Sequence, residues 1–231
     1  MDEPADLDAP GRAGRAAKAA QVWERFEPHL RGRSILDVGA DRCHLREHLD
    51  AGATYWGIGL GGTPDQEVNL EAGPIPFGDR AYDTVVCLDV LEHLANPHAT
   101  FDELCRVARE TVIVSLPNPW ADAYRALRHG RYRDSLAIKY YGLPPAPPGD
   151  RHKWFFAASE ARSFVAARAL HNGFDVVEHR SDAGRPSPFR NPLRTVAEWL
   201  LFRAGAGLDD AYAGTQWFVL ARIQTDPTSP A

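Results

Sequence analysis

The chain has 231 residues, which suits one domain with a sizeable core and an inserted cap at most, rather than two independent domains. Its 26 basic and 31 acidic side chains leave a formal charge of −5 with no dense Lys/Arg block, so neither nucleic acid nor an anionic membrane is an expected partner. Cys43, Cys87 and Cys105 are odd in number, far apart and without a C-x-x-C pair, which suggests neither a disulfide framework nor a cysteine zinc site and fits reduced thiols in a cytoplasmic protein.

The opening "MDEPADLDAPGRAGR", acidic and then rich in Ala and Gly, lacks the apolar stretch of a secretion signal and reads as disordered over residues 1–15. From Ala16 to Leu30, the spacing of Val22, Trp23, Phe26 and Leu30 puts an apolar stripe on one helical face, as core packing requires. Strand-like and helix-like segments then alternate. "SILDVG" (34–39) reads as a strand, "HLREHLD" (44–50) as a helix, "TYWGIGL" (54–60) as a strand, and "YDTVVCLDV" (82–90) as a near-continuous apolar strand buried on both faces. "PHATFDELCRVAR" (97–109) is a helix with Pro97 near its first turn, and "TVIVSLP" (111–117) is the next strand. This rhythm predicts an α/β fold with a doubly wound, mostly parallel sheet, whose ligands sit beyond the carboxyl ends of the strands.

The rhythm breaks from Asn118 to Asp150, where the proline-rich "YGLPPAPPGD" suits a cap or lid over about 118–152. A helix over Ala158–His171, stopped by Asn172 and Gly173, precedes the strand "FDVVEH" (174–179). After a helix near Leu193–Arg203, the closing strand "TQWFVLAR" (215–222) arrives without a further crossover helix and is expected to pair antiparallel at the sheet edge. Residues 225–231 read as a frayed tail, and no apolar run reaches membrane-spanning length.

The stretch "SILDVGADRCHL" turns on one glycine, Gly39, where nucleotide-binding loops usually carry two or three. A nicotinamide-binding loop would need G-x-G-x-x-G and an acid on the next strand, and neither is present. Instead "ILDVGADRC", "YWGIGL", "IPFGDRAYDTVVCLDVLEHL" and "VIVSLPNP", in that order and followed by "DRHKWFF…NGFDVV", resemble the class I S-adenosylmethionine-dependent methyltransferases over roughly Arg33 to His179. The resemblance implies a Rossmann-like seven-stranded sheet with an antiparallel last strand, S-adenosylmethionine as cofactor and S-adenosylhomocysteine as product. It also implies that the cofactor is held by Asp37 and Gly39 in the loop, Gly59 and Leu60 at the second strand end, Asn69 and Leu70 at the adenine edge, and Asp89 and Val90 at the fourth strand end. Asp41 and Cys43 stand where the family usually has glycines, and aspartate tolerates left-handed backbone angles better than most residues. Gly59 stands where the family places an acid for the ribose hydroxyls, with Asp41 or Asp65 as the nearby substitutes.

Methyl transfer from a sulfonium is an in-line displacement that depends chiefly on alignment. A hydroxyl or protonated amine must also lose a proton, for which histidine is suited near neutral pH. His93, just past the fourth strand, is the expected catalytic residue, with His152 at the end of the proline-rich excursion as its partner or alternative; a structural role for His93 at the loop start is the competing reading. The D-x-x-E-H of Asp89, Glu92 and His93 also resembles the E-x-x-E-H of metal-assisted O-methyltransferases acting on small-RNA termini and quinone precursors, with His152 as the later histidine. Because the E-H pair is also common in metal-free members, a site without metal is the expectation and a divalent ion the less favoured reading. Trp120, Tyr124, Tyr140, Tyr141, Trp154 and Phe155 are placed to wall an acceptor pocket or to pack within the lid, and Arg128, Arg131 and Arg133 to bind an acidic acceptor group or form a solvated face.

The function expected is methyl transfer to an oxygen, less readily a nitrogen, of a small molecule or glycan precursor, with a homodimer compatible with the sequence. The alternative is a methyltransferase-fold protein that no longer transfers methyl groups, serving as a binding or scaffolding subunit or hosting other chemistry; Asp41, Cys43 and Gly59 are its support.

Overall fold

Strands β1 (Ser34–Val38), β2 (Thr54–Gly59), β3 (Gln66–Glu67), β4 (Tyr82–Leu88), β5 (Ala108–Leu116), β6 (Phe174–Ser181) and β7 (Gln216–Arg222) form one sheet in the order β3-β2-β1-β4-β5-β7-β6. The computed structural model of the chain describes residues 9–128, 130, 151–182, 196, 199–200, 203 and 207–224. Pairing is parallel from β3 through β5, and β7 runs antiparallel to both neighbours. This is the doubly wound, mostly parallel sheet that the alternating pattern predicts, with the seven strands that the resemblance implies. The last strand is antiparallel as expected, but it lies inside the sheet, and β6 forms the edge. The burial patterns give the reason: Gln216 to Leu220 are all buried, as a strand flanked on both sides requires, whereas β6 alternates towards solvent after Phe174.

Successive strand residues face opposite layers. Ile35, Val86, Ile113 and Val219 pack under helix α1 (Ala9–Leu30), whose Ala19, Val22, Phe26 and Leu30 are buried against them with Trp217. Leu36, Val85, Val112, Val114 and Leu220 face the other layer, made by α2 (Pro97–Val107) and α4 (Ala158–His171). Helix α1 begins at Ala9, earlier than the apolar stripe requires, and runs through part of the stretch expected to be disordered. Pro28 lacks the N–H that would bond one turn back, and the helix bends there, with Phe26 at φ −123°, ψ 15°.

The helix expected over 44–50 is instead a single 3-10 turn, His44–His48. Cys43 at its start is left-handed with no side-chain cap, and Leu49 is already extended, so only i→i+3 bonds form, such as Arg46 N–H to the Cys43 carbonyl at 3.0 Å. Helix α2 is capped by Asn96, whose side chain accepts from Ala99 N–H, and it ends at Val107 because the chain passes directly into β5. Most of the cap expected over 118–152, including Arg131, Arg133, Tyr140 and Tyr141, lies outside the described residues, as do most of the helix near Leu193–Arg203 and residues 1–8 and 225–231. At its described ends are α3 (Pro119–Arg128) and the extended stretch 151–157.

The sheet reverses its winding between β1 and β4, where β1 has β2 on one side and β4 on the other. At that crevice the β1 loop is fastened to β2: the N–H groups of Gly39 and Ala40 both donate to the Ile58 carbonyl, at 2.7 and 3.0 Å. Gly39 has φ 83°, and a Cβ on it would stand 2.2 Å from Cγ2 of Val90. Asp41 and Cys43 take φ 49° and 57°, so two L-residues hold the left-handed turns where glycine is usual. Cys43 fits because Gly57 opposite it has no Cβ, which would lie 2.6 Å from Sγ. Gly39→Ala should therefore lower unfolding stability by roughly 2–4 kcal/mol, and a second change, Val90→Ala, should recover part of that loss. Denaturant titration of the single and double variants checks this; an additive double mutant would show that the two residues do not meet.

Candidate active site

Beyond the carboxyl ends of β1, β2 and β4 lies a cavity of about 370 Å³, within the range of small-molecule sites. Of the residues expected from sequence to bind a cofactor, Asp37, Gly39, Asp41, Gly59, Leu60, Asp89 and Val90 line it, and the expected catalytic His93 closes one side. Asn69 and Leu70 do not. The Asn69 side-chain oxygen accepts from Glu71 N–H and closes a local turn, while Leu70 packs on the apolar core and borders a separate cavity with Glu71 and Ile75. Asp65 is also outside, taken up by Gly57 N–H at 2.7 Å and by an ion pair with Arg46.

Among the wall residues not singled out from the sequence are Lys18, His44 and Gly61. Lys18 reaches in from α1, pairs with Asp89, bonds Ser115 Oγ at 3.2 Å and lies 4.6 Å above the Trp217 ring. Its signal was present, since Lys18 precedes Val22 by four residues and so shares the face of the buried stripe. His44 and Gly61 also line the cavity. Asp89, with φ 53°, is fixed further by Ser115, whose hydroxyl donates to its Oδ1 at 2.7 Å.

Asp37, at the end of β1, is 7% exposed and accepts from the Tyr55 hydroxyl at 2.6 Å. Burial pushes its carboxyl up to about 6, and the Tyr55 hydrogen bond offsets only part of that rise. Its own burial, with the neighbouring Asp37 carboxylate and the same hydrogen bond adding to it, holds the Tyr55 phenol far above its ordinary range.

On the far side of His93 the chain returns from residue 151 along the turn Leu91–His93. Lys153 N–H donates to the Glu92 carbonyl at 2.7 Å, Trp154 Nε1–H to the Leu94 carbonyl at 2.7 Å, and Lys153 Nζ meets Glu71 at 2.7 Å. These three bonds bring His152, 59 positions after His93, against it: the rings meet edge to face with centroids 4.6 Å apart. The Glu92 side chain is wholly enclosed, and its Oε1 is 4.0 Å from Nε2 of each histidine. Asp89, drawn to Lys18 and Ser115, is not part of this cluster. Of the aromatics expected at the lid, Trp120 and Phe155 meet edge to face at 5.1 Å, and Tyr124 packs on Tyr212.

A methyltransferase-domain family model matches residues 12–179 of the chain. No curated protein matches it. Among solved structures, magnesium protoporphyrin IX methyltransferase from Synechocystis, with bound S-adenosylhomocysteine, aligns with a TM-score of 0.53 at 17% identity, covering 96% of this chain and 90% of its own. Phosphoethanolamine N-methyltransferase 2 of Haemonchus contortus, in complex with S-adenosyl-L-methionine, gives 0.53 at 13% identity over 90% of this chain and 53% of its own. The cyclase SpnF gives 0.55 at 14% identity over 96% and 84%. At these identities the likeness is one of fold.

The buried Asp37 carboxyl sets a pH dependence. Below about pH 4 it is protonated in folded and unfolded chains alike. As pH rises towards about 6 the unfolded chain ionises first, and above that the folded chain must bury the charge, so this residue's contribution to stability is lost through that window. Asp37→Asn, which still accepts from Tyr55, should gain on the wild type by up to roughly 3 kcal/mol between about pH 4 and pH 7. Denaturant unfolding across that range measures the difference; a pH-independent offset would contradict it.

Proposed function

Since the chain belongs to the methyltransferase-domain family, we propose that it transfers the methyl group of S-adenosylmethionine to an oxygen, less readily a nitrogen, of a small molecule or glycan precursor. The cofactor takes the crevice between the Gly39 loop and the β2 and β4 ends, with its sulfonium directed towards His93. The observation that carries this reading is that seven of the nine cofactor positions implied by the sequence line one cavity, with His93 at its rim and His152 behind.

In the reaction the acceptor oxygen forms a bond to the methyl carbon as the S–CH₃ bond breaks, its electron pair passing to sulfur. The positive charge disperses, and the acceptor proton must leave. His93, on the cavity wall, takes the proton of the acceptor hydroxyl, while the Glu92 carboxylate 4.0 Å away favours the positive charge that develops on its ring and His152 packs edge to face against it. Asp37 lies near the positions taken by the cationic groups of the cofactor, so its ionised form is favoured on binding.

Gly59 offers no acid to the ribose hydroxyls, and we assign that role to Asp41, which lines the same wall. A charged hydrogen bond there contributes about 1.5–3 kcal/mol. Asp41→Asn, which keeps a residue tolerant of the left-handed turn, should weaken S-adenosylhomocysteine binding by about tenfold. Adding Gly59→Asp, whose Cβ would have ordinary contacts of 3.5 Å or more, should restore it. Unchanged affinity in Asp41→Asn, measured by calorimetry, would place the ribose elsewhere.

A second reading, a methyltransferase-fold protein that moves no methyl group, is favoured by the same substitutions in the loop, and the likeness to a cyclase shows that the fold accompanies other chemistry. The two separate when the protein is incubated with methyl-labelled S-adenosylmethionine and a small-molecule extract. The transferase reading expects label in a small-molecule product, with His93→Ala slowing its formation by about 10²- to 10⁴-fold while cofactor affinity holds. Cofactor binding with no label moved would favour the second reading.

A further inference from the structure

The turn Leu91–His93 serves two cavities: His93 borders the candidate cofactor cavity, while Leu91 and Glu92 border a second one of about 130 Å³. This smaller slot lies at the carboxyl ends of β4 and β5, where a doubly wound sheet presents its ligands. Leu91 follows β4, Leu116 closes β5, Pro97 begins α2, and Ala161 and Phe164 come from the first two turns of α4, with Phe156 completing the apolar wall. A volume of this order takes one ring, since an apolar cavity of about 150 Å³ binds benzene.

Polar groups along the slot are engaged elsewhere. Trp154 Nε1–H donates to the Leu94 carbonyl at 2.7 Å, and Glu160 Oε2 accepts from Ala157 N–H at 2.8 Å. Glu92 is 1% exposed and turns its carboxylate towards His93 and His152. The exposed His98 and Trp154 mark where the slot opens, and the His98 ring meets Trp154 and Phe164 edge to face, with centroids 6.4 and 5.1 Å away. A sugar or a phosphate entering here would give up its bonds to water without replacement. A neutral ring loses nothing of that kind, buries its surface and finds aromatic edges and faces to pack on.

We propose that this slot holds the neutral apolar ring of the methyl acceptor and so selects phenols and alicyclic alcohols over glycans. The inference rests on the methyl-transfer reading for the identity of its ligand as an acceptor, whereas the preference for an uncharged ring follows from the walls. Leu91 and His93 are two residues apart, roughly 4 Å along the axis of a 3-10 turn, a distance that one substituted ring spans. Ala161 sets the size limit. It is 2% exposed and fixed in the first turn of α4, behind the capping bond between Ala157 and Glu160, so a longer side chain there takes up the space of the ring.

Toluene is the probe, read from amide shifts in heteronuclear NMR spectra of the full-length protein. The wild type should show saturable shifts at millimolar toluene in the amides of Leu91, His98, Ala161 and Phe164, and none with glucose or methyl phosphate. Ala161→Leu should abolish these shifts and the smaller change Ala161→Val should weaken them, while calorimetry with S-adenosylhomocysteine gives one affinity for all three proteins and shows that each is folded. Where Ala161→Leu does not fold, Ala161→Val carries the comparison. With methyl-labelled S-adenosylmethionine, kcat/KM for simple phenols and cyclohexanol should exceed that for sugars by at least about tenfold, and Ala161→Leu should remove the preference. Toluene shifts absent from the wild type or unchanged in both variants, or label reaching sugars as readily as phenols, overturn the slot, and label transfer in the same samples leaves the methyl-transfer reading standing. Toluene binding lost in Ala161→Leu, with label moving to no compound, upholds the apolar site and overturns the transferase reading.

Discussion

Everything at the carboxyl edge of the sheet depends on one close approach, that of the Gly39 backbone to the Val90 side chain. β1 and β4 are adjacent and parallel, so the loops leaving them diverge over a shared crevice. For the crevice to be narrow, the first loop must turn at once, which demands the positive φ of Gly39 and excludes a Cβ there. The Ile58 carbonyl then receives the next two N–H groups, and the loop becomes continuous with the end of β2. With this one glycine fixed, the remaining left-handed positions are occupied by Asp41 and Cys43, each supported by its neighbours. The Asp41 carbonyl accepts from Thr63 N–H at 2.8 Å, and the Cys43 N–H donates to the Ala40 carbonyl at 2.8 Å.

The same approach sets the electrostatics. It encloses Asp37, whose carboxyl is raised by loss of water, on a cavity it shares with Asp89, which keeps a cation, Lys18, beside it. The two acids therefore differ in kind: one is buried and bonded to a phenol, the other is ion-paired and bonded to a hydroxyl. In the proposed reading, a ligand carrying both a sulfonium and an amino-acid head would meet a carboxylate for its cationic groups and an ammonium for its carboxylate. Helix α1 is thus part of the site as well as of the core, since the stripe that buries Val22 and Phe26 also sets the direction of Lys18.

Much of this was legible because local patterns and the fold agree. The alternation of apolar segments gave six of the seven strands to within a few residues, missing only the two-residue β3, and the DVG turn marked where the ligand cavity would open. What failed had a non-local cause. The interior place of β7 depends on β6 pairing outside it, although the unbroken burial of Gln216 to Leu220 was foreshadowed by an apolar run too continuous for an edge. The 3-10 turn at His44 follows from a backbone angle at Cys43 that side-chain type does not reveal. Asn69 was placed at the cavity from its position after β2, but its side chain closes a turn two residues long, as asparagine commonly does. His93 could be read from its distance to the strand end, whereas its meeting with His152 depends on hydrogen bonds from Lys153 and Trp154 to a turn some 60 residues earlier in the chain.

The central claim is that this crevice, despite its single loop glycine, holds S-adenosylmethionine with the methyl group towards His93. A crystal structure of the protein grown with saturating S-adenosylhomocysteine tests it most directly. The account predicts the ribose against Asp41 and Gly59, the amino-acid head between Asp37, Asp89 and Lys18, and the sulfur on the side of the cavity closed by His93. A ligand bound with its sulfur turned away from His93, or bound outside the crevice between β1 and β4, would contradict it.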